Sequence, residues 1–286
     1  VTDIPSLILA FSVLKHFYVM NDIRINKEKS KFMGESGRKN TDRGYTYDEI
    51  KKILNVADLR MKTIVLLMAS TGMRVGAIPD LKLKHLEENS KEKIYKITVY
   101  GKSKEQYYTF CSPECYFIIK SYLEYRKKNG ELLDEDSYLI REQFDINDFE
   151  QIRKKSRKIS LATLKNNTML LVRKSGVTEI NHNYDHGLRN EVPMSHGFRK
   201  FWMTQAVKSK MNPEAREMLL GHKIGLASAY YRPSEDDLLD AYLVAVDNLT
   251  INEENRLKKK VDELQVKYDK IDALVSRIDY LEKQLK

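Results

Sequence analysis

The stretch "LLGHKIGLASAYYRPS", Leu219 to Ser234, sets His222 nine residues ahead of the second of two adjacent tyrosines, Tyr230 and Tyr231. A phenol with a histidine held nearby can act as a nucleophile, although two tyrosines on a helix are equally ordinary packing. Attack on phosphorus also needs cations or donors on the non-bridging oxygens and an acid for the leaving oxygen. Arginine suits the oxygens, because its fork bonds two at once and never deprotonates. Tyrosine suits the attack, because its phosphate ester conserves the bond energy for the reverse step, but a free phenol with a pKa of about 10 needs help to ionise. The chain offers a candidate for each part. "STGMRVGAIPDL" puts Arg74 just after a Thr-Gly turn, at a predicted helix start, and "VYGKSK" puts Lys102 in a predicted hairpin turn with Lys104 close by. "SHGFRK" puts His196 and Arg199 three residues apart, on one helix face near its N-terminal end, a favoured place for phosphate. Phe198 and Trp202 mark the opposite, buried face of that helix.

These residues must be positioned by a globular chain, and the composition describes one. Its 286 residues, 42% hydrophobic and 32% charged, suffice for one large or two small domains with a real core. The net charge of +9 is concentrated. Between Gln151 and Thr178 stand Arg153, Lys154, Lys155, Arg157, Lys158, Lys165, Arg173 and Lys174, with no acid among them. Such a local field favours a polyanion such as nucleic acid, while the same run taken alone would also serve as a solvated helix face. Cys111 and Cys115, in "CSPEC", are too few for a disulfide framework and lack a matching His/Cys pair for zinc, so they read as reduced thiols in an intracellular protein. No carboxylate cluster suggests a metal, and no cofactor motif is present. The apolar run Leu7 to Phe11 is too short to cross a membrane, and no signal-peptide pattern is visible.

The pattern along the chain predicts mainly α structure with a small antiparallel sheet. Residues 4–21 carry apolar side chains at helical spacing. The polar, glycine-bearing stretch 26–44 reads as a linker. A helix begins at Thr46, with Glu49 completing a capping box, and a buried helix over Leu59 to Ser70 is ended by Gly72. Ile97 and Val99 alternate with Thr98 and Tyr100, and a Gly/Lys/Ser turn leads to a second strand, Tyr107 to Phe110. Helices are predicted at 113–128 and around 147–158, after Ser195 as N-cap, and from Pro213. From Leu257 the spacing changes: Leu257, Val261, Leu264, Tyr268, Ile271, Val275 and Ile278 form a heptad seam.

The ordered set TG-x-R, G-K-x-K, H-x-x-R, L-G-H and Y resembles the tyrosine recombinase (phage integrase) family over about residues 45–245. "YYRPSEDDLLDAY" is most similar to integrases of archaeal viruses and mobile elements. The resemblance implies that Arg74 and Arg199 bind the scissile phosphate, Lys102 protonates the leaving oxygen, His196 assists proton transfer and His222 hydrogen-bonds a phosphate oxygen. It assigns Tyr231 as nucleophile, by the nine-residue spacing from His222, and Tyr230 as its packing neighbour. Relatives carry an acid three residues after the first arginine, where this chain has Ala77. The expected organisation is a helical remnant of a core-binding domain at 1–25, the linker at 26–44, a catalytic domain at 45–250 and a coiled-coil tail at 251–286.

On this reading the chain is a cytoplasmic, metal-free DNA strand transferase. Its partners are double-stranded DNA, contacted through Arg153, Lys154, Lys155, Arg157, Lys158 and Lys104, and copies of itself, four on two DNA sites. A type IB topoisomerase shares the same chemistry, but where such enzymes carry a coiled-coil linker it precedes the tyrosine, and here the heptads follow it. A non-catalytic DNA-binding coiled-coil protein is the third alternative.

Overall fold

The computed structural model describes residues 4–24, 43–148, 150, 152, 156–177, 192, 194–222 and 232–284. The chain divides into two units, Val1–Thr41 and Asp42–Lys286. The first holds helix α1, Ile4–Met20, whose last turn is closed by the Asn21 side chain on the Phe17 carbonyl at 2.8 Å. The predicted linker, apart from Arg43 and Gly44, lies outside the described residues.

The second unit is built around one buried helix. Helix α2, Tyr47–Val56, starts with the predicted capping box: Thr46 accepts from the Glu49 N–H while Glu49 accepts from the Thr46 N–H. Helix α3, Leu59–Thr71, is capped by Asp58 and is buried on all sides from Thr63 onward, as its unbroken apolar run requires. It ends at Gly72, at φ 63°, which glycine adopts without penalty. Any Cβ there would also meet Leu220 at 2.7 Å and the Trp202 ring at 2.8 Å, so Gly72 is needed twice over.

A three-stranded antiparallel sheet follows, β1 Leu86–Asn89, β2 Ile94–Val99 and β3 Tyr107–Phe110, in that order. The β2–β3 hairpin is the one the alternation predicts. Strand β1 was not anticipated: "LEEN" is a half-exposed edge with two glutamates, so it shows no apolar alternation. Helix α4, Pro113–Lys128, matches the expected range. Helix α5, Leu161–Lys174, occupies the basic run, where charge rather than periodicity dominated the reading. The helix expected around 147–158 falls partly outside the described residues, and its end is corrected: Lys158 pairs with Arg141 in an extended bridge.

Helix α6, Met194–Lys208, α7, Pro213–Leu219, α8, Glu235–Leu243, and α9, Val246–Leu249, complete the domain. Ser195 lies inside α6 rather than capping it. Helices α4 and α6 pack on α3. Trp202, fully buried, donates its indole N–H to the Ser70 carbonyl at 3.0 Å, and the Tyr242 hydroxyl donates to the same oxygen at 2.9 Å. Each such aromatic stabilises by about 1.5–3 kcal/mol through burial alone. Between α4 and α5, the buried Arg126 guanidinium grips Glu131 and the carbonyls of Tyr138 and Leu139, and the Leu139 N–H bonds the Leu81 carbonyl at 2.8 Å. That clamp fixes the loop against the segment that follows Arg74.

Helix α10, Glu253–Gln284, continues from the domain. Its entry is held by Glu114, which accepts from the Ile251 N–H at 2.8 Å, and by Arg256, stacked 4.6 Å from the centre of the Tyr47 ring. Beyond this, Leu257, Val261, Leu264, Tyr268, Ile271 and Val275 are exposed. The Ile278 side chain lies outside the described residues.

Candidate functional site

Three helix ends meet at one point, and a buried arginine ties them. Arg199 of α6 is only 8% exposed. It donates to the Gly72 carbonyl at the end of α3 (2.7 Å) and to the Leu220 carbonyl at the end of α7 (2.9 Å). Carbonyls at helix ends lack intrahelical partners, and a buried one without a donor is costly, so the guanidinium serves the fold as well as any chemistry. Burial, followed by the nearby charge of Arg74, draws the Arg199 pKa below its usual value, but a guanidinium stays charged at any physiological pH.

His222 stands beside it. Its Nε2 lies 2.7 Å from Arg199 Nη2, and its Nδ1 lies 2.5 Å from a Glu217 carboxylate oxygen. Arginine can only donate, so Nε2 accepts, and the proton sits on Nδ1 and is given to Glu217. The backbone explains the juxtaposition. Gly221, at φ 68°, reverses the chain after α7, so that the His222 N–H bonds the Glu217 carbonyl and the Gly221 N–H bonds the Met218 carbonyl, each at 2.9 Å. This double bond pattern brings the third residue from a helix end against the residue after the glycine.

Arg74 caps the short 3₁₀ turn Val75–Asp80, just beyond Gly72, and its side chain is exposed. It is close enough to Arg199 and to Tyr107 for its charge to act on both. Arg199 and His222 thus meet where α3 and α7 end, with the charge of Arg74 near enough to act there, an arrangement an anion would occupy.

The remaining candidates sit around this cluster. Lys102 is exposed in the β2–β3 turn in the left-handed conformation, φ 65°, with its N–H on the Gln106 side chain at 2.8 Å; Lys104 is exposed in the same turn. At the base of that hairpin Thr109 donates to the Thr71 carbonyl at 3.2 Å, so β3 is seated on the end of α3. His196 is in the first turn of α6 with its side chain exposed, whereas Arg199 is turned inward. The two are neighbours on one face of α6, as expected, with His196 at its exposed edge and Arg199 at its buried edge. Tyr230 and Tyr231 lie outside the described residues, as do Arg153, Lys154 and Lys155. Arg157 is paired with Glu142 at 3.4 Å and Lys158 with Asp80 at 2.5 Å, while Lys165, Arg173 and Lys174 are exposed along α5. Among the described residues no group of histidines, cysteines and carboxylates could hold a metal ion, and no helix is long and apolar enough to cross a membrane.

Glu217 was missed by reading motifs. Its signal was present: a glycine after a short helix predicts the chain reversal that sets it against His222. Replacing Glu217 by Leu removes the acceptor that fixes the imidazole; on the strand-transfer chemistry that the sequence resemblance implies, DNA cleavage should fall about 10- to 100-fold, as when the carboxylate behind a functional histidine is lost. Glu217→Gln, which retains an acceptor oxygen, should keep most of the activity. The check is single-turnover cleavage, with the His222 tautomer read by nitrogen NMR; equal losses in both variants would mean that the charge matters and not the orientation.

Comparison with known proteins identifies relatives in sequence and in fold. Tyrosine recombinase XerA of Pyrococcus horikoshii is 33% identical over 132 residues, which is 46% of this chain and 45% of that relative's length. Two solved structures share the fold at 15% identity and a TM-score of 0.52. One is the integrase from mycobacterium phage Brujita, with 85% of this chain and 70% of that one covered. The other is the Tn1549 transposon integrase in complex with circular intermediate DNA, with 84% and 79% covered. Residues 45–236, the segment that carries Arg74, Lys102, His196, Arg199, His222 and Tyr231, match the Phage integrase family, and the chain belongs to it.

Proposed function

We propose that this protein is a site-specific DNA recombinase that cuts and rejoins strands by metal-free transesterification. The observation that carries the reading is the convergence of Arg74, Arg199 and His222 at the junction of three helix ends, with Tyr231 nine residues further along the chain. The Tyr231 phenol oxygen attacks the scissile phosphorus, forming a 3′-phosphotyrosine bond as the bond to the 5′ oxygen breaks. Arg74 and Arg199 hold the non-bridging oxygens as charge builds on them. His222, released from Arg199 when the phosphate takes its place, gains a proton on Nε2 while Glu217 holds Nδ1, and donates that N–H to an oxygen. Lys102 gives its proton to the departing 5′ oxygen, and the hairpin turn supplies the reach. His196 assists proton transfer from the tyrosine. Attack by a 5′ hydroxyl of a second DNA reverses these steps and rejoins the strands.

Double-stranded DNA is the substrate, and the fold relative solved with circular intermediate DNA supports this partner. The exposed cations of α5 and of the segment before it supply sequence-independent affinity for phosphate. Such a protein works in the cytoplasm on the host's DNA. The decisive experiment incubates the protein with nicked DNA carrying its site. A protein–DNA adduct that survives denaturation, formed in the presence of EDTA, is expected, followed by joined products between two DNAs. Relaxation of supercoils without joining two DNAs would favour a topoisomerase instead.

Joining two DNAs calls for four protomers, and the α10 tail is our candidate for part of that assembly. Its seam is exposed from Leu257 to Val275, and an isolated helix with such a stripe is stabilised by burial against another helix. Removing the residues after Asn252 should leave strand cleavage intact, because every candidate catalytic side chain precedes it. Self-association and recombination between two DNAs should weaken. Sedimentation of the full and shortened chains at matched concentration, with DNA, checks this; identical mass distributions would rule it out.

A further inference from the structure

Tyr107 opens β3, opposite Val99 on β2, and is 9% exposed. Its hydroxyl is buried and, among the described residues, has no acceptor for its proton. The Arg199 guanidinium sits against the phenol oxygen at the margin of hydrogen bonding, and the Arg74 charge also acts on it; arginine can only donate, so the phenol O–H still lacks an acceptor. A buried hydroxyl without an acceptor costs stability that phenylalanine at the same place would not, so this one calls for an explanation. Packing fixes where it points. A Cβ on Gly221 would stand 2.5 Å from two carbons of the Tyr107 ring, so the ring lies against the reversal that presents His222. Thr109, two residues on, is hydrogen-bonded to the end of α3. The ring is thus held between the two structures that present Arg74 and His222, with its hydroxyl beside Arg199. The acceptors described in that corner are taken, Glu217 by His222 and the Gly72 and Leu220 carbonyls by Arg199, so the partner the phenol lacks is a further, negatively charged acceptor.

We propose that the Tyr107 hydroxyl is a further catalytic donor, which gives a hydrogen bond to a non-bridging oxygen of the scissile phosphate as charge builds in the transition state. The inference rests on the strand-transfer reading above. No bond to Tyr107 forms or breaks, and its proton stays on the phenol. Burial, opposed by Arg199 and Arg74, pushes its pKa up to about 12, so it is neither a nucleophile nor a base at neutral pH and remains a donor. A neutral donor aimed at the oxyanion adds transition-state stabilisation without drawing further charge into a buried corner.

The test compares wild type, Tyr107→Phe and Tyr107→Leu on DNA with a normal scissile phosphate and on DNA with a methylphosphonate there, which removes the negative non-bridging oxygen. Single-turnover adduct formation, DNA binding and thermal unfolding are read in parallel. Tyr107→Phe is expected to unfold at the same or a higher temperature, to bind DNA as wild type does, and to cleave the normal phosphate about tenfold or more slowly. That penalty should shrink on the methylphosphonate. Tyr107→Leu, which also loses the ring that supports Gly221, should be destabilised, separating packing from the hydroxyl. Unimpaired cleavage by Tyr107→Phe, or an equal penalty on both DNAs, would overturn the inference while strand transfer stands. A wild-type chain that forms no adduct would overturn both together.

Discussion

Tyr231→Phe is expected to abolish the covalent adduct with DNA, while Tyr230→Phe retains it. Removing one oxygen leaves ring packing intact but takes away the only atom able to form the phosphate ester, so the loss is complete rather than partial. Both ends of the segment that carries the tyrosines are anchored. On one side His222 is held by Glu217 and Arg199. On the other, Ser234 caps α8 in a capping box with Asp237, and Tyr242 of the same helix is hydrogen-bonded to α3. The segment therefore begins beside Arg199, and the family spacing from His222 selects Tyr231 over its neighbour. Peptide mapping of a trapped adduct checks the assignment. Phosphate found on Tyr230 would reverse it.

The two arginines are expected to part company in stability while agreeing in chemistry. Arg74→Ala and Arg199→Ala should each lower the cleavage rate by about 100-fold or more, because in the proposed mechanism both side chains act on charge that builds in the transition state. Arg74 is exposed, so its loss should change stability by less than about 0.5 kcal/mol. Arg199 is buried and bonds the Gly72 and Leu220 carbonyls, and alanine leaves both without this donor at about 1–3 kcal/mol each. In a domain of this size each kcal/mol lowers Tm by about 2–4 °C, so Arg199→Ala should melt several degrees lower and Arg74→Ala should not. Thermal unfolding beside single-turnover cleavage and DNA binding separates the cases. If both variants lost DNA affinity in step with cleavage, the arginines would be binding residues without a special role in the reaction.

Much of this protein was legible before any coordinates. Capping at Thr46, termination at Gly72, the β2–β3 hairpin and the α10 heptads depend on neighbours within one turn or one strand pair, so their signals survive in a linear chain. The order Arg74, Lys102, His196, Arg199, His222, Tyr231 can likewise be read from the chain as a candidate set, because a reaction on phosphate restricts residue type strongly. Elements whose identity is set by distant partners were not. Strand β1 exists because β2 offers it hydrogen bonds, and its own residues carry no alternation. Helix α5 hides its apolar stripe among the cations of the basic run. Most of all, spacing could not tell that His196 faces solvent while Arg199, one turn on, is drawn inward. Trp202 is bonded to the Ser70 carbonyl of α3 and Phe198 packs on Tyr45, and with α6 so seated Arg199 reaches the carbonyls of Gly72 and Leu220. Glu217 and Tyr107 joined the site for the same reason: α7 and β3 are brought to the end of α3 by packing, and only then do a carboxylate and a phenol lie beside the residues whose motifs stand out in the chain.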